Sequence, residues 1–124
     1  MNQFVIPSPI PAKQDVYAFF FSEINQITGQ RFMDGISRAT HELTPARLHI
    51  LFQSSGGTIG DGICLYNFLR KSPIEIILYN SGIVSSIAVI SYLGAAKRIV
   101  SQHATFMIHR STAPPGTIPS IYRQ

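Results

Sequence analysis

Arg47-Leu48-His49-Ile50-Leu51-Phe52-Gln53-Ser54-Ser55-Gly56-Gly57-Thr58-Ile59-Gly60 carries an apolar run straight into a glycine pair. The first seven residues read as a near-continuous strand, the pattern of a sheet buried on both faces. The glycines turn the chain sharply, and a helix over about 60–70 follows, with Ile59, Ile63, Tyr66 and Leu69 or Arg70 along its length. Pro73 ends that helix. Upstream, Val16 to Phe21 is β-branched and aromatic, hence a strand. Thr28 is placed to cap a helix over 29–43, with Phe32, Ile36, Ala39 and Leu43 on one face, and Pro45 marks its end. Downstream, Ile74 to Tyr79 is a strand. Ile83 to Ala95 reads as an apolar helix with Ile83, Ile87, Ile90 and Leu93 in a stripe, and Lys97 to Ser101 and Ala104 to His109 as short strands. The order β-α-β-α-β-α-β-β predicts an α/β fold with a mostly parallel sheet and right-handed crossovers.

The 124 residues suffice for about one domain. At 45% hydrophobic and 13% charged, the chain is apolar for its size, so some apolar surface is expected to meet a partner. The net charge of +4 comes from basic residues scattered along the chain without interleaved aromatics, so no nucleic-acid partner is expected. Cys64 is the single cysteine, which excludes an intrachain disulfide and fits a reducing compartment. The start lacks a basic, long-apolar leader pattern. The longest apolar stretch is broken by Ser85, Ser86 and Ser91 and is too short to span a bilayer. A cytoplasmic location without a membrane partner is the expectation.

Three segments carry chemistry. Ser54-Ser55-Gly56-Gly57 follows a buried strand and leaves backbone amides open to an approaching carbonyl; an ordinary strand-to-helix turn has the same look. Phosphate binding is disfavoured, because the turn lacks a Walker lysine and the Rossmann glycine spacing. Ser85 and Ser86 stand at the start of the apolar helix, where free amides and the helix dipole favour negative charge; they also fit as plain capping residues. His109 ends a strand, a position equally suited to a structural histidine. His41, His49 and His103 lie elsewhere, and no histidine has metal-ligand spacing with a cysteine or carboxylate, so no metal or other cofactor is expected.

Taken together, Ser54-Ser55-Gly56-Gly57, Gly82-Ile83-Val84-Ser85-Ser86-Ile87 and Met107-Ile108-His109 resemble the proteolytic subunit of the Clp protease, within the Clp/crotonase fold. That family has a Ser-Pro-Gly-Gly turn, a Gly-x-Ala-x-Ser-Met helix start and a Met-Ile-His strand end. Gly60, Gly62, Ile63, Tyr66 and Gly94-Ala95-Ala96-Lys97-Arg98 also fit its pattern. The resemblance implies a Clp/crotonase-like fold of repeated β-β-α and β-α units. It implies a serine endopeptidase acting through an acyl-enzyme, with Ser86 as nucleophile, His109 as general base, Gly57 and Ile87 amides as oxyanion hole, and Gly56, Thr58 and Ile59 beside an extended peptide. It further implies peptide or unfolded-protein substrates, a homo-oligomer or ring of related subunits, and an ATPase chaperone partner. Residues 1–15 read as a flexible proline-containing arm, 16–112 as the Clp-peptidase-like domain and 113–124 as a Pro-rich irregular tail.

The turn proline is replaced here by Ser55 and the methionine after the nucleophile by Ile87. In the family the triad acid follows the histidine, behind a long helix that interlocks two rings. No Asp or Glu follows Glu75 in this chain, which reads as truncated. Asp15 and Glu23 remain open as substitutes. Loss of a triad acid costs about three to four orders of magnitude in turnover. Two alternatives therefore accompany an impaired peptidase: an inactive peptide-binding or ring-assembly module, and a crotonase-like acyl-thioester enzyme that shares the fold and the amide hole.

Overall fold

The computed structural model describes residues 13–109. Nine elements follow in the order β1 (Val16–Phe21), α1 (Gln26–Leu43), β2 (Arg47–Gln53), α2 (Ile59–Arg70), β3 (Glu75–Asn80), β4 (Ile83–Ser85), α3 (Ile87–Tyr92), β5 (Lys97–Val100) and β6 (Thr105–Met107). Four strands form a sheet in the order β1-β2-β3-β5, every pair parallel, and β4 pairs with β6 in a second parallel ladder. Parallel strands need crossovers, and α1, α2 and α3 occupy them. The expected mostly parallel α/β fold is what forms.

The parallel register puts Phe20 opposite Phe52, Leu48 opposite Ile76 and Ile50 opposite Leu78 on one face. Those side chains join Phe32 and Ile36 of α1, Leu65 and Leu69 of α2, and Ala88 and Tyr92 of α3 in one core. Each large member contributes about 1.5–3 kcal/mol by leaving water. The Tyr92 phenol, 2% exposed, donates to the Ile99 carbonyl at 2.8 Å, and burial pushes its pKa up.

The other sheet face is not covered by any described element. Tyr17, Phe19 and Phe21 of β1 are 73%, 78% and 63% exposed, and β2 alternates between buried and open positions. The expectation that β2 is buried on both faces is thus corrected: its apolar run serves one helical layer only.

Several local readings shift with tertiary context. Asn25, not Thr28, caps α1; Thr28 is the third residue of a capping box, its amide donating to Asn25 Oδ1 and its hydroxyl accepting from the Asn25 amide, each at 2.9 Å. Leu43, expected on the buried face, is 58% exposed. Thr58 stands at the N-cap position of α2 without a side-chain capping bond, and Asp61 lies in the first turn. Its buried face runs through Gly62, Leu65 and Leu69, while Ile59 and Ile63 point outward. Gly62 is required there, because a Cβ would run into the Ile87 side chain.

The apolar helix predicted from Ile83 starts at Ile87 instead. Ile83–Ser85 is a strand, since β-branched residues here find a partner in β6. Within α3 the buried residues are Ala88, Ser91 and Tyr92, not the Ile83-Ile87-Ile90-Leu93 stripe. Of the expected N-terminal arm, only 13–15 lie within the described residues. There the Gln14 carbonyl accepts from the Ala46 amide at 2.9 Å and Asp15 meets Arg47 and His49. The expected tail over 113–124 lies outside them.

Candidate active site

Three chain segments converge at the end of β2. Past Gln53, Ser54 bridges to Val84: the Ser54 amide donates to the Ile83 carbonyl at 3.3 Å and the Ser85 amide to the Ser54 carbonyl at 3.0 Å. On the other side of β4, Ser85 pairs with Met107 of β6, and the Ser86 amide donates to the Met107 carbonyl at 2.7 Å. This lateral stacking sets the glycine turn, Ser86 and the Ile108-His109 segment side by side, although 23 positions separate Ser86 from His109 in the sequence.

Ser86 stands at the junction of β4 and α3 with φ 58° and ψ −133°. A non-glycine residue held there costs about 1–3 kcal/mol, supplied by the packing around it. The same sharp strand-to-helix turn presents a nucleophilic serine in α/β-hydrolases. Ser86 is the helix cap by position, yet its side chain makes no capping hydrogen bond. Ser85, its neighbour, is 5% exposed.

The glycine turn is shaped by contacts no side chain would permit. Gly56 has φ 98°, and a Cβ on it would lie 2.7 Å from Ser86 Cβ and 2.9 Å from the Ser85 carbonyl oxygen. Gly57 has φ 150°, and its Cβ would overlap the Ile24 carbonyl. Ile24 pins the turn: its amide donates to the Gly56 carbonyl at 2.7 Å, and its carbonyl accepts from the Thr58 amide at 2.9 Å. The Ser54 hydroxyl accepts from the Gly56 amide at 3.1 Å. Between these engaged amides, that of Gly57 has no hydrogen-bond acceptor among the described residues. The Ile87 amide, first in α3, has no intrahelical acceptor.

A cleft of about 420 Å³ gathers Ser86, Ile87, Gly57 and Ile59 with Ile108 and His109, and Val89 and Ile90 complete its wall. No carboxylate is among these lining residues. Gly56 lies buried behind Ser86 rather than in the wall, and the Thr58 amide is spent on Ile24. A larger hollow of about 790 Å³ between α1 and α2 contains none of the expected site residues.

Asp15 sits beside the start of β2, at the opposite end of the sheet from the glycine turn, bonded to Arg47 and His49. The Glu23 carboxylate accepts from Asn25 Nδ2 at 3.4 Å. Among the described residues no group of three His, Cys, Asp or Glu side chains is placed to hold a metal ion, and no helix is long and apolar enough to cross a membrane.

Two positioning residues escaped the sequence reading. Asn80, fully buried at the end of β3, accepts from the Gly82 amide at 3.2 Å and donates from Nδ2 to the Thr105 carbonyl at 2.9 Å, tying the main sheet to the β4-β6 ladder. Ser91 donates to the Gly62 carbonyl at 2.7 Å and locks α3 onto α2. The available signal was a lone polar residue inside an apolar run, which loses its polar bonds to water on burial unless the protein replaces them.

Solved structures of similar fold include ClpP1 from Listeria monocytogenes, at TM-score 0.72 and 19% identity, covering 86% of this chain and 62% of that one. The ClpP protease catalytic domain from Plasmodium falciparum superposes at TM-score 0.67 with 21% identity, covering 75% and 54%. The K138A mutant of the 1510-N membrane-bound stomatin-specific protease, in complex with a substrate peptide, reaches TM-score 0.70 at 20% identity, covering 77% and 45%. The chain thus spans about half to three fifths of the length of these proteins. No curated protein sequence matches it. The Clp protease family model, however, matches residues 12–117, nearly the whole chain, and on that match the protein belongs to the Clp protease family.

Proposed function

We propose that the chain carries the peptide-hydrolysing site of a Clp-type serine endopeptidase, with Ser86 as nucleophile and His109 as general base. The observation that supports this best is the cleft, in which the strained Ser86 and His109 share a wall with a Gly57 amide that has no acceptor among the described residues and an Ile87 amide that has no intrahelical one. Ser86 Oγ attacks the scissile carbonyl while His109 takes its proton. Negative charge then builds on the carbonyl oxygen, and the Gly57 and Ile87 amides receive it; preorganised donors of this kind are worth about 3–4 kcal/mol each. The amine leaves with the proton from His109, and water releases the acyl group by the reverse sequence. An extended peptide is held along Gly57 to Ile59 by main-chain pairing, with Gly56 and Thr58 fixing the turn that presents them.

A ring of such subunits, an ATPase chaperone that feeds it and a cytoplasmic setting follow from family membership as further parts of the proposal. The lack of a carboxylate among the lining residues favours a second reading, in which the chain binds extended peptides with little turnover.

A fluorophosphonate probe followed by peptide mapping tests the first reading. Ser86 is expected to be labelled and Ser85 not, with the label lost in Ser86→Ala and retained in Ser85→Ala. Labelling that survives in Ser86→Ala overturns the assignment. Turnover of a fluorogenic peptide and binding of a labelled one, measured on one preparation, separate the two readings. Hydrolysis of acyl-thioesters without peptide cleavage would instead select the crotonase-like chemistry.

A further inference from the structure

Asp15, His49 and Tyr79 form a hydrogen-bonded line on the uncovered face of the main sheet. The register places Tyr17 opposite His49, Leu51 opposite Tyr79, and Tyr79 opposite Ile99, so these residues share that face. His49 Nε2 is 2.9 Å from Asp15 Oδ2, and its Nδ1 is 2.6 Å from the Tyr79 hydroxyl. Arg47 Nε donates to the other Asp15 oxygen at 3.1 Å. Tyr17 stacks on the imidazole with centroids 4.6 Å apart and planes 15° apart, which fixes the ring's orientation.

The charges settle the protons. His49 and then Arg47 hold the Asp15 carboxyl below its usual pKa, so at neutral pH it is an acceptor only. In the neutral tautomer that pairs with this carboxylate, Nε2 carries the hydrogen. Nδ1 is left as an acceptor, and the Tyr79 phenol must donate to it. Acid, imidazole and hydroxyl stand in the same order as in an acid–base–nucleophile relay, with a phenol in place of a serine.

We propose that Tyr79 is an activated phenol that accepts a short apolar acyl group from an activated ester, at a site separate from the cleft of Ser86. Tyr79 Oη attacks the ester carbonyl carbon as its proton passes to His49 Nδ1. The new C–O bond to tyrosine forms, the bond to the leaving alcohol breaks, and the imidazolium returns the proton to that alcohol. Leu51 and Ile99, 36% and 45% exposed, flank Tyr79 on the neighbouring strands and give the acyl chain an apolar bed.

p-Nitrophenyl butyrate tests this on the full chain carrying Ser86→Ala, so that the cleft cannot consume the reagent. Peptide mapping reads the butyrylation rate at each tyrosine. Tyr17 is the internal control: it shares the sheet face and is 73% exposed, but it stacks on His49 and donates to no base among the described residues. Tyr79 is expected to react at least about 100-fold faster than Tyr17, the lower end of what a positioned base provides. His49→Gln is expected to bring Tyr79 down to the Tyr17 rate, and Asp15→Asn to lower it about threefold or more. Circular dichroism checks that each variant is folded, and Asp15→Asn serves if His49→Gln is not. A Tyr79 rate equal to that of Tyr17, or one unmoved in a folded variant, overturns the proposal.

Discussion

Replacing Gly56 with alanine is expected to destabilise the domain and displace the candidate site. Two costs add at this position. The φ of 98° is one that L-residues avoid, at about 1–2 kcal/mol. The new methyl lies 2.7 Å from Ser86 Cβ and 2.9 Å from the Ser85 carbonyl oxygen, neither of which is the free end of a flexible chain. Overpacking of that kind costs about 1–3 kcal/mol. The sum is about 2–5 kcal/mol, and a domain of this size loses about 4 °C of Tm for each kcal/mol, so the midpoint should fall by about 8–20 °C. Gly35→Ala is the matched control. A Cβ there has no neighbour within 4 Å, and it lies inside α1, so the midpoint should rise by the worth of about 0.5–1 kcal/mol. Thermal unfolding by circular dichroism measures both. Fluorophosphonate labelling of Gly56→Ala well below its midpoint should also be slowed, because relief of the contact moves Ser86. A Gly56→Ala midpoint within about 3 °C of the parent would refute the close approach of the glycine turn to Ser86.

Asn80→Ala removes two hydrogen bonds at a fully buried position and should cost about 2–4 kcal/mol, read as a lower urea midpoint with an unchanged m-value. Ser91→Ala deletes the buried bond to the Gly62 carbonyl and should cost about 0.5–1.5 kcal/mol by the same assay. The Asp15 carboxyl titrates below its unfolded value, so its contribution is complete above about pH 4 and is lost as pH falls through the folded pKa. The midpoint difference between the parent and Asp15→Asn should therefore shrink on acidification from pH 6 to pH 3; a difference that grows over that range would show the pairing with His49 and Arg47 to be absent.

The longer strands and the buried face of α1 at Phe32 and Ile36 were legible, whereas the short strand β4 and the buried arcs of α2 and α3 were not. Val16–Phe21 and Arg47–Gln53 fall where β-branched and aromatic runs place them, because a strand in a parallel sheet needs only such a run and a break at each end. A helix must also choose which arc to bury. In α2 an isoleucine arc at Ile59 and Ile63 competes with Gly62-Leu65-Leu69, and the second wins because only a glycine lets Ile87 approach. In the stretch from Ile83 helical periodicity and β-branched content compete. The strand wins for three residues because Ser54 on one side and Thr105–Met107 on the other offer it hydrogen bonds, information that lies 20 or more residues away in the chain. That outcome is what bends the backbone at Ser86: a continuous helix from Ile83 would have placed Ser86 inside a turn of helix, with its amide spent on an intrahelical bond and its φ negative. The strand-to-helix break instead gives the amide to Met107, forces φ to 58° and brings the side chain to the cleft wall beside His109. The sequence motif thus picks out the serine, but only the pairing of β4 between Ser54 and β6 gives it the strained strand-to-helix geometry on which the proposed role rests.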